Sequence, residues 1–286
     1  MFRKLFKYDM RYIARFWWIL ALTAIGASFM GSFVLRYLIS NFLNSDVSFA
    51  IKFMAINFLA VVAITIIAAF IVTQIFIYVR YYKHFFTDEG YLTFTLPVSR
   101  RDLLLSKMVN AFFWTVASYL LSFLCVLIFA IFSPPAEIGG PFINPIVFEK
   151  IGNAIVVAWK ESGLGLIIFA VLWLATQTFS LIYSISLGYF CIALGSTIAK
   201  KHKIMLAIGL YYAISIAVSI VKNYLQTLFV TIIPDGLDVY LEGASDATVF
   251  FAEVIVTAIP CCMMAALAFA AYSATRTCIE RKLNLA

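Results

Sequence analysis

Six long, essentially uncharged apolar runs constrain this chain more than any other feature of its sequence. They are Phe16 to Leu35, Phe53 to Val79, Met108 to Glu137, Ser162 to Ala199, Ile204 to Val221 and Val254 to Thr275. A helix rises about 1.5 Å per residue, so a hydrocarbon core of about 30 Å needs roughly 20 residues to cross. The fifth run is the shortest, and its pattern extends past Lys222 toward Val230. The fourth is too long for one straight span, so its end is expected to leave the membrane. The first is longer than the apolar region of a signal peptide, which is about 7–15 residues, and shows no small-residue cleavage site; it is expected to be an uncleaved span. Composition agrees: 64% of the 286 residues are apolar and 12% are charged, against about 25% charged in soluble domains. Such a chain cannot cover its own surface in water.

Charge orients the runs. The 21 Lys and Arg residues cluster in alternate connections, with Arg36, Lys52, Lys150, Lys160 and Lys222 as the exceptions; of the 14 acids, all but Asp9, Asp88, Glu89, Asp102 and Glu280 fall in the other set. Basic residues favour the cytoplasmic side. Both termini, the connection after the second run and the connection after the fourth are therefore expected in the cytoplasm. The expected fold is an all-α polytopic membrane protein, a single transmembrane domain over 1–286 with six spans and the N-terminus and C-terminus cytoplasmic. Arg36, Lys52 and Lys222 lie near outer ends, where they snorkel to headgroups or touch a substrate. The net charge of +7 belongs to this topology, and no soluble stretch is long enough to form a basic groove for nucleic acid. Cys125, Cys191, Cys261, Cys262 and Cys278 have neither CxxC spacing nor nearby histidines. They read as small core hydrophobes, with no disulfide framework and no metal site.

Ahead of the first run, Arg3, Lys7, Arg11 and Arg15 recur every four residues beside Lys4, opposite Phe2, Leu5, Phe6, Ile13 and Phe16. This is the pattern of an amphipathic interfacial helix over 1–16, expected to turn into the first span at Phe16-Trp17-Trp18. Asp9 falls within its apolar face. It pairs with a basic or hydrogen-bonding group from an inner loop, or reaches water in a frayed helix.

The connection Arg80 to Lys107 reads RYYKHFFTDEGYLTFTLPVSRRDLLLSK, too patterned for a plain loop. Thr87 is placed to cap a short helix with Asp88 and Glu89 in its first turn. That helix exposes Tyr91, Leu92 and Phe94 and ends before Pro97. Ser99 then caps the next helix, with Asp102 as capping-box partner, and Arg100 and Arg101 anchor its start at the membrane surface. Aromatics and acids shown to the cytoplasm suggest a docking surface; the other reading is a helix lying on the membrane.

The run TDEGYLTFTLPVSRRDLLLSK, together with the basic N-terminal helix, the six spans and the basic tail ending at Lys282-Leu283-Asn284-Leu285, resembles the permease subunits of ABC-2 type transporters. The resemblance covers essentially the whole chain. It implies a pair of permeases, identical or closely related, in a bacterial cell membrane, each bound to a separate ABC ATPase subunit that carries ATP and magnesium. It implies that 1–16 is an elbow helix and that 81–106 is the coupling region, with Thr87, Asp88, Glu89, Gly90, Tyr91, Leu92 and Phe94 as the main ATPase contact and Lys201, in the tight connection Lys200 to Lys203, in a smaller one. It further suggests export of amphipathic peptides of the phenol-soluble modulin kind, or of antibiotics or bacteriocins. One departure stands out. Many members carry a large outer domain or paired re-entrant helices between spans five and six; here that connection is short, and the outer loop 134–161 between spans three and four is the longer one.

No G-x-x-x-x-G-K-[ST], HExxH or GxSxG occurs, and His84 and His202 are isolated beside basic residues. An enzyme on this chain has no residues to stand on, and no cofactor site is expected. Polar residues within spans offer a pathway wall instead: Gln74 in the second, Asn110 in the third, and Gln177, Ser180 and Ser184 on one face of the fourth. The structural alternative is interhelical hydrogen bonding, worth about 0.6 kcal/mol per contact. No acid sits at a span centre, which argues for an energy source on another chain. The 28 Phe residues suit a hydrophobic or amphipathic cargo. Ala24, Ser28 and Ser32 have the spacing of a close helix contact, and Pro260 is expected to kink the sixth span. The alternative class is a polytopic sensor or assembly protein that transports nothing.

Overall fold

The computed structural model describes residues 2–42, 48–87, 90, 99–132, 145–199, 202–241 and 246–282. Among these residues the chain is almost wholly helical: α1 (Phe2–Phe42), α2 (Phe49–Phe86), α3 (Arg100–Phe132), α4 (Pro145–Ser162), α5 (Leu164–Ile198), α6 (Lys203–Leu241) and α7 (Asp246–Lys282). Six contain a stretch long and apolar enough to cross a membrane: Leu5–Tyr37, Phe49–Phe86, Arg100–Phe132, Ile167–Ile198, Lys203–Leu225 and Ala258–Ile279. This is the make-up of a multi-pass membrane protein. Large side chains such as Leu22, Ile64, Phe123, Met205 and Phe269 are more than half exposed, a surface suited to lipid rather than water. Helices satisfy this environment because each bonds its own backbone groups internally. Their hydroxyls follow suit: Ser28, Thr73, Ser118 and Thr176 each donate to the carbonyl four residues back.

Three features differ from the sequence expectation. First, α1 is unbroken through Phe16-Trp17-Trp18, so the basic segment and the first span are one helix of about 60 Å. No Gly or Pro interrupts it before Gly26, and Trp17 is held by neighbours on α3. Second, the 134–161 connection contains a helix, α4, whose side chains from 148 to 157 are all exposed. Gly163 separates it from α5 at φ 49°, a backbone region that glycine enters without a Cβ penalty. Third, α6 continues to Leu241 and α7 begins at Asp246, so most of the connection between spans five and six is helical. Pro260 lies inside α7.

The chain divides into two compact units, Met1–Val79 with Phe113–Ala158, and Arg80–Phe112 with Trp159–Ala286. Helices α2 and α3 contribute to both. In the first unit, Ala21 and Ala24 of α1, Ala69 of α2, and Leu121 and Cys125 of α3 form a buried cluster under Trp17, Leu20, Ile25 and Ile66. The small-residue row works as expected: Ala24, Ser28 and Ser32 are at most 1% exposed, and a Cβ at Gly31 would stand 3.0 Å from the Val62 side chain. Trp17 lies tilted against Trp114, with ring centres 5.4 Å apart, and donates Nε1–H to Ser118 Oγ at 3.2 Å. The basic side chains Arg3, Lys7, Arg11 and Arg15 are exposed, whereas Asp9 and Ile13 are buried. Asp9 does not lie in a frayed helix open to water; it is engaged with a partner.

In the second unit α5 packs against α6 and α7. Every residue from 185 to 189 is buried, so α5 is enclosed on all sides there. Near its end, a Cβ at Gly195 would meet the Lys203 carbonyl oxygen at 2.8 Å and the Ala207 Cβ at 2.9 Å. Only glycine allows α6 to start so close to α5.

Candidate functional site

The connection between α2 and α3 carries the resemblance, and both of its described ends are fixed by specific contacts. The last turns of α2 end in a run of rings: Tyr81 and Phe85 lie 5.0 Å apart, and Tyr81 and Phe86 5.9 Å. Phe85 is fully buried. Thr87 Oγ1 donates to the Lys83 carbonyl in its own helix. Thr87 thus ties back onto the last turn of α2; the short helix it is expected to cap lies outside the described residues. The chain then turns tightly, with Gly90 N–H donating to the Thr87 carbonyl at 2.7 Å. Gly90 is buried, and a Cβ there would meet the Phe85 carbonyl oxygen at 2.9 Å. A side chain cannot be inserted without moving the end of α2. Asp88, Glu89, Tyr91, Leu92 and Phe94 lie outside the described residues, as does Lys201.

The far end of the connection is capped as expected. Ser99 Oγ accepts the Asp102 N–H at 3.1 Å, and the Ser99 carbonyl accepts the Leu103 N–H at 3.1 Å. Arg100 reaches further than the membrane surface: its Nη1 donates to the Ile279 carbonyl on α7 at 3.4 Å.

Behind these ends lies a buried layer that the sequence did not disclose. Tyr81 stacks on Tyr189 of α5, with ring centres 3.8 Å apart and planes within 7°. Tyr189 OH donates to the Lys107 carbonyl of α3 at 3.3 Å. Thr275 Oγ1 of α7 is 2.7 Å from the Ala271 carbonyl and 3.2 Å from the Ser186 carbonyl of α5. Tyr81, Leu103, Leu104, Tyr189, Thr275 and Ile279 are all at most 2% exposed. The layer joins the end of α2, the start of α3, α5 and α7. Tyr183 and Tyr189, on either side of Ser186, were the available sequence signal.

The proposed pathway residues fall in both units. Gln74 belongs to the first unit, where its Nε2 donates to Thr115 Oγ1 at 3.3 Å. The other four belong to the second. Asn110 is 3% exposed. Gln177 is exposed and Ser180 half-buried. Ser184 Oγ lies 3.3 Å from Tyr211 OH on α6. Cys125, Cys191 and Cys278 are buried, Cys261 half-buried and Cys262 exposed, and all are free thiols. Among the described residues no three His, Cys, Asp or Glu side chains cluster as a metal site would.

No protein-family model, curated protein or solved structure matches the chain.

Proposed function

We propose that this chain is the permease subunit of an ATP-driven exporter of the ABC-2 type, moving a hydrophobic or amphipathic cargo out of the cell. The observation that carries the reading is the buried Tyr81–Tyr189–Lys107 layer. It roots both ends of the α2–α3 connection in α5 and α7. A push on that connection would move four helices together instead of bending a loose loop, which is what a motor on another chain requires.

On this reading both termini and the α2–α3 connection are cytoplasmic, and the basic first turns of α1 emerge from the span at the anionic inner leaflet. Two copies, or two close relatives, pair in a bacterial cell membrane, each seated on an ATPase subunit that holds ATP and magnesium. Asp88, Glu89, Tyr91, Leu92 and Phe94 make the main contact, and Lys201 a smaller one. Amphipathic peptides suit a wall of aliphatic and aromatic groups.

The test is co-purification with the candidate ATPase from the same source, followed by cargo export and ATPase measurements in vesicles. The expected result is a stable complex whose cargo-stimulated hydrolysis is lost in Asp88→Arg/Tyr91→Ala, with membrane insertion unchanged. Failure of any ATPase to bind, or intact coupled export by that variant, would sink the proposal in favour of a polytopic protein that transports nothing.

A further inference from the structure

Helix α4 has an apolar side that no described residue covers. At about 100° per residue, Phe148, Ile151, Ile155 and Trp159 fall within about 80° of arc, and Glu149, Lys150, Asn153 and Lys160 within about 100° on the opposite side. All eight side chains are exposed, the four apolar ones by 47–60%. Val156 flanks the stripe, and Val157 is the one large apolar side chain described on the polar side. A Cβ at Gly152, beside the stripe, would meet nothing within 4 Å. Four large apolar groups in a row are costly to leave in water.

The chain itself indicates what covers them. Only Gly163 separates α4 from α5. Its N–H donates to the Trp159 carbonyl at 2.9 Å, and its φ of 49° ends the helix there. The apolar stretch of α5 begins at Ile167, so the end of α4 that carries Trp159 is held at a face of the bilayer. The exposed apolar surface continues past this corner: Ile167, Ile168, Phe169 and Val171 are all exposed. Neighbouring residues on a helix point in different directions, so the start of α5 is ringed by lipid. The stripe on α4 thus runs on from a lipid-facing surface. Its make-up suits a bilayer interface: a narrow apolar row, a tryptophan at the end nearer the span, and lysines whose stems reach headgroups. The helix sequence holds Glu149, Lys150, Lys160 and Glu161, whose charges cancel. Apolar burial, not attraction to anionic lipid, is then the driving force.

We propose that α4 is a lipid-binding helix that lies in the bilayer interface, with Phe148, Ile151, Ile155 and Trp159 turned to the acyl chains and Glu149, Asn153 and Lys160 turned to water. One span, in α3, separates α4 from the α2–α3 connection, so α4 lies on the opposite face of the membrane from that connection. Anchored there, with Gly163 as the corner, it sets the level at which α5 enters the bilayer. The inference rests on the spans alone and stands if the transport reading fails.

Spin labelling of the full chain in lipid nanodiscs tests it. A nitroxide is attached through a genetically encoded ketone residue, which leaves the native cysteines in place, at Glu149, Ile151, Asn153, Ile155 and Lys160 in turn. At 151 and 155, collision with lipid-soluble oxygen is expected to exceed collision with a water-soluble nickel chelate several-fold; at 149, 153 and 160 the order reverses. The pattern should be the same in phosphatidylcholine alone and with phosphatidylglycerol added. Equal access of the nickel chelate to all five positions leaves α4 in water and overturns the proposal. Exclusion of both reagents from 151 and 155 means that protein, a second copy included, covers the stripe, and overturns it too. A pattern that appears only with anionic lipid overturns anchoring by apolar burial.

Discussion

The two units tie their helices together with different kinds of hydrogen bond. In the first, side chains pair across helices: Trp17 donates to Ser118, and Gln74 exchanges hydrogen bonds with Thr115, while the buried Nε1 of Trp114 has no partner among the described residues. Its helices are drawn close by small residues at Ala24, Ser28, Gly31 and Ser32. In the second unit, the interhelical ties end largely on backbone carbonyls, at Lys107, Ser186 and Ile279, while several buried side-chain polar atoms have no partner among the described residues. A unit whose side chains pair with one another is locked in one register. Bonds that land on carbonyls, which every turn of a helix repeats, are less specific to one register.

Removing the central ring of the second unit should break this contrast most severely. Tyr189→Ala deletes the stack on Tyr81 and the bond to Lys107, and an aromatic-to-alanine change in a buried site costs about 3–5 kcal/mol. The expected outcome, read by SDS-induced unfolding in mixed micelles, is loss of the cooperative transition for the second unit. Retention of near-wild-type stability would mean that the layer is not what holds α2, α3, α5 and α7 together. A smaller effect comes from glycine. Gly195→Ala drives a Cβ into backbone at 2.8 Å, whereas Gly31→Ala meets only the Val62 and Phe129 side chains at 3.0–3.3 Å. Overpacking costs about 1–3 kcal/mol, so Gly195→Ala should fall within that range and Gly31→Ala below it. The reverse order in the same unfolding assay would invalidate the comparison of the two helix contacts.

What the sequence could show tracks how local each cause is. The six spans were legible because bilayer thickness sets a length that hydropathy alone can meet. The Ser99 cap was legible because it depends on three neighbouring residues. The tie of Thr87 back to Lys83 was not legible, because it depends on where α2 ends. The unbroken α1 was hidden for a different reason: the charge pattern near Arg15 suggests a change of environment, but Trp17 is held by Trp114 and Ser118, about a hundred residues away in sequence. Helix α4 was missed because its exposed apolar and charged residues lack a span's length. That Asn110 Oδ1 and Ser186 Oγ lack partners among the described residues could not be foreseen, since a helical serine ordinarily bonds to its own backbone.

The smallest expected effect bears on Gln74, the residue for which a pathway role and a structural role most directly compete. Its amide faces Thr115 in both directions, with Nε2 to Oγ1 at 3.3 Å and Oγ1 to Oε1 at 3.5 Å. Both distances are long, so the bond is weak. A double-mutant cycle with Gln74→Leu and Thr115→Val should give a coupling near the membrane average of about 0.6 kcal/mol, because each leucine or valine removes one partner and the double variant restores an apolar match. If Gln74 serves only this bridge, the single variants lose stability and export proceeds unchanged. If it also lines a pathway, Gln74→Leu alters cargo export while Thr115→Val, which breaks the same bond from the other side, does not. A coupling indistinguishable from zero would remove the first unit's clearest reciprocal pair, and with it much of the difference between helices tied by side chains and helices tied to backbone carbonyls.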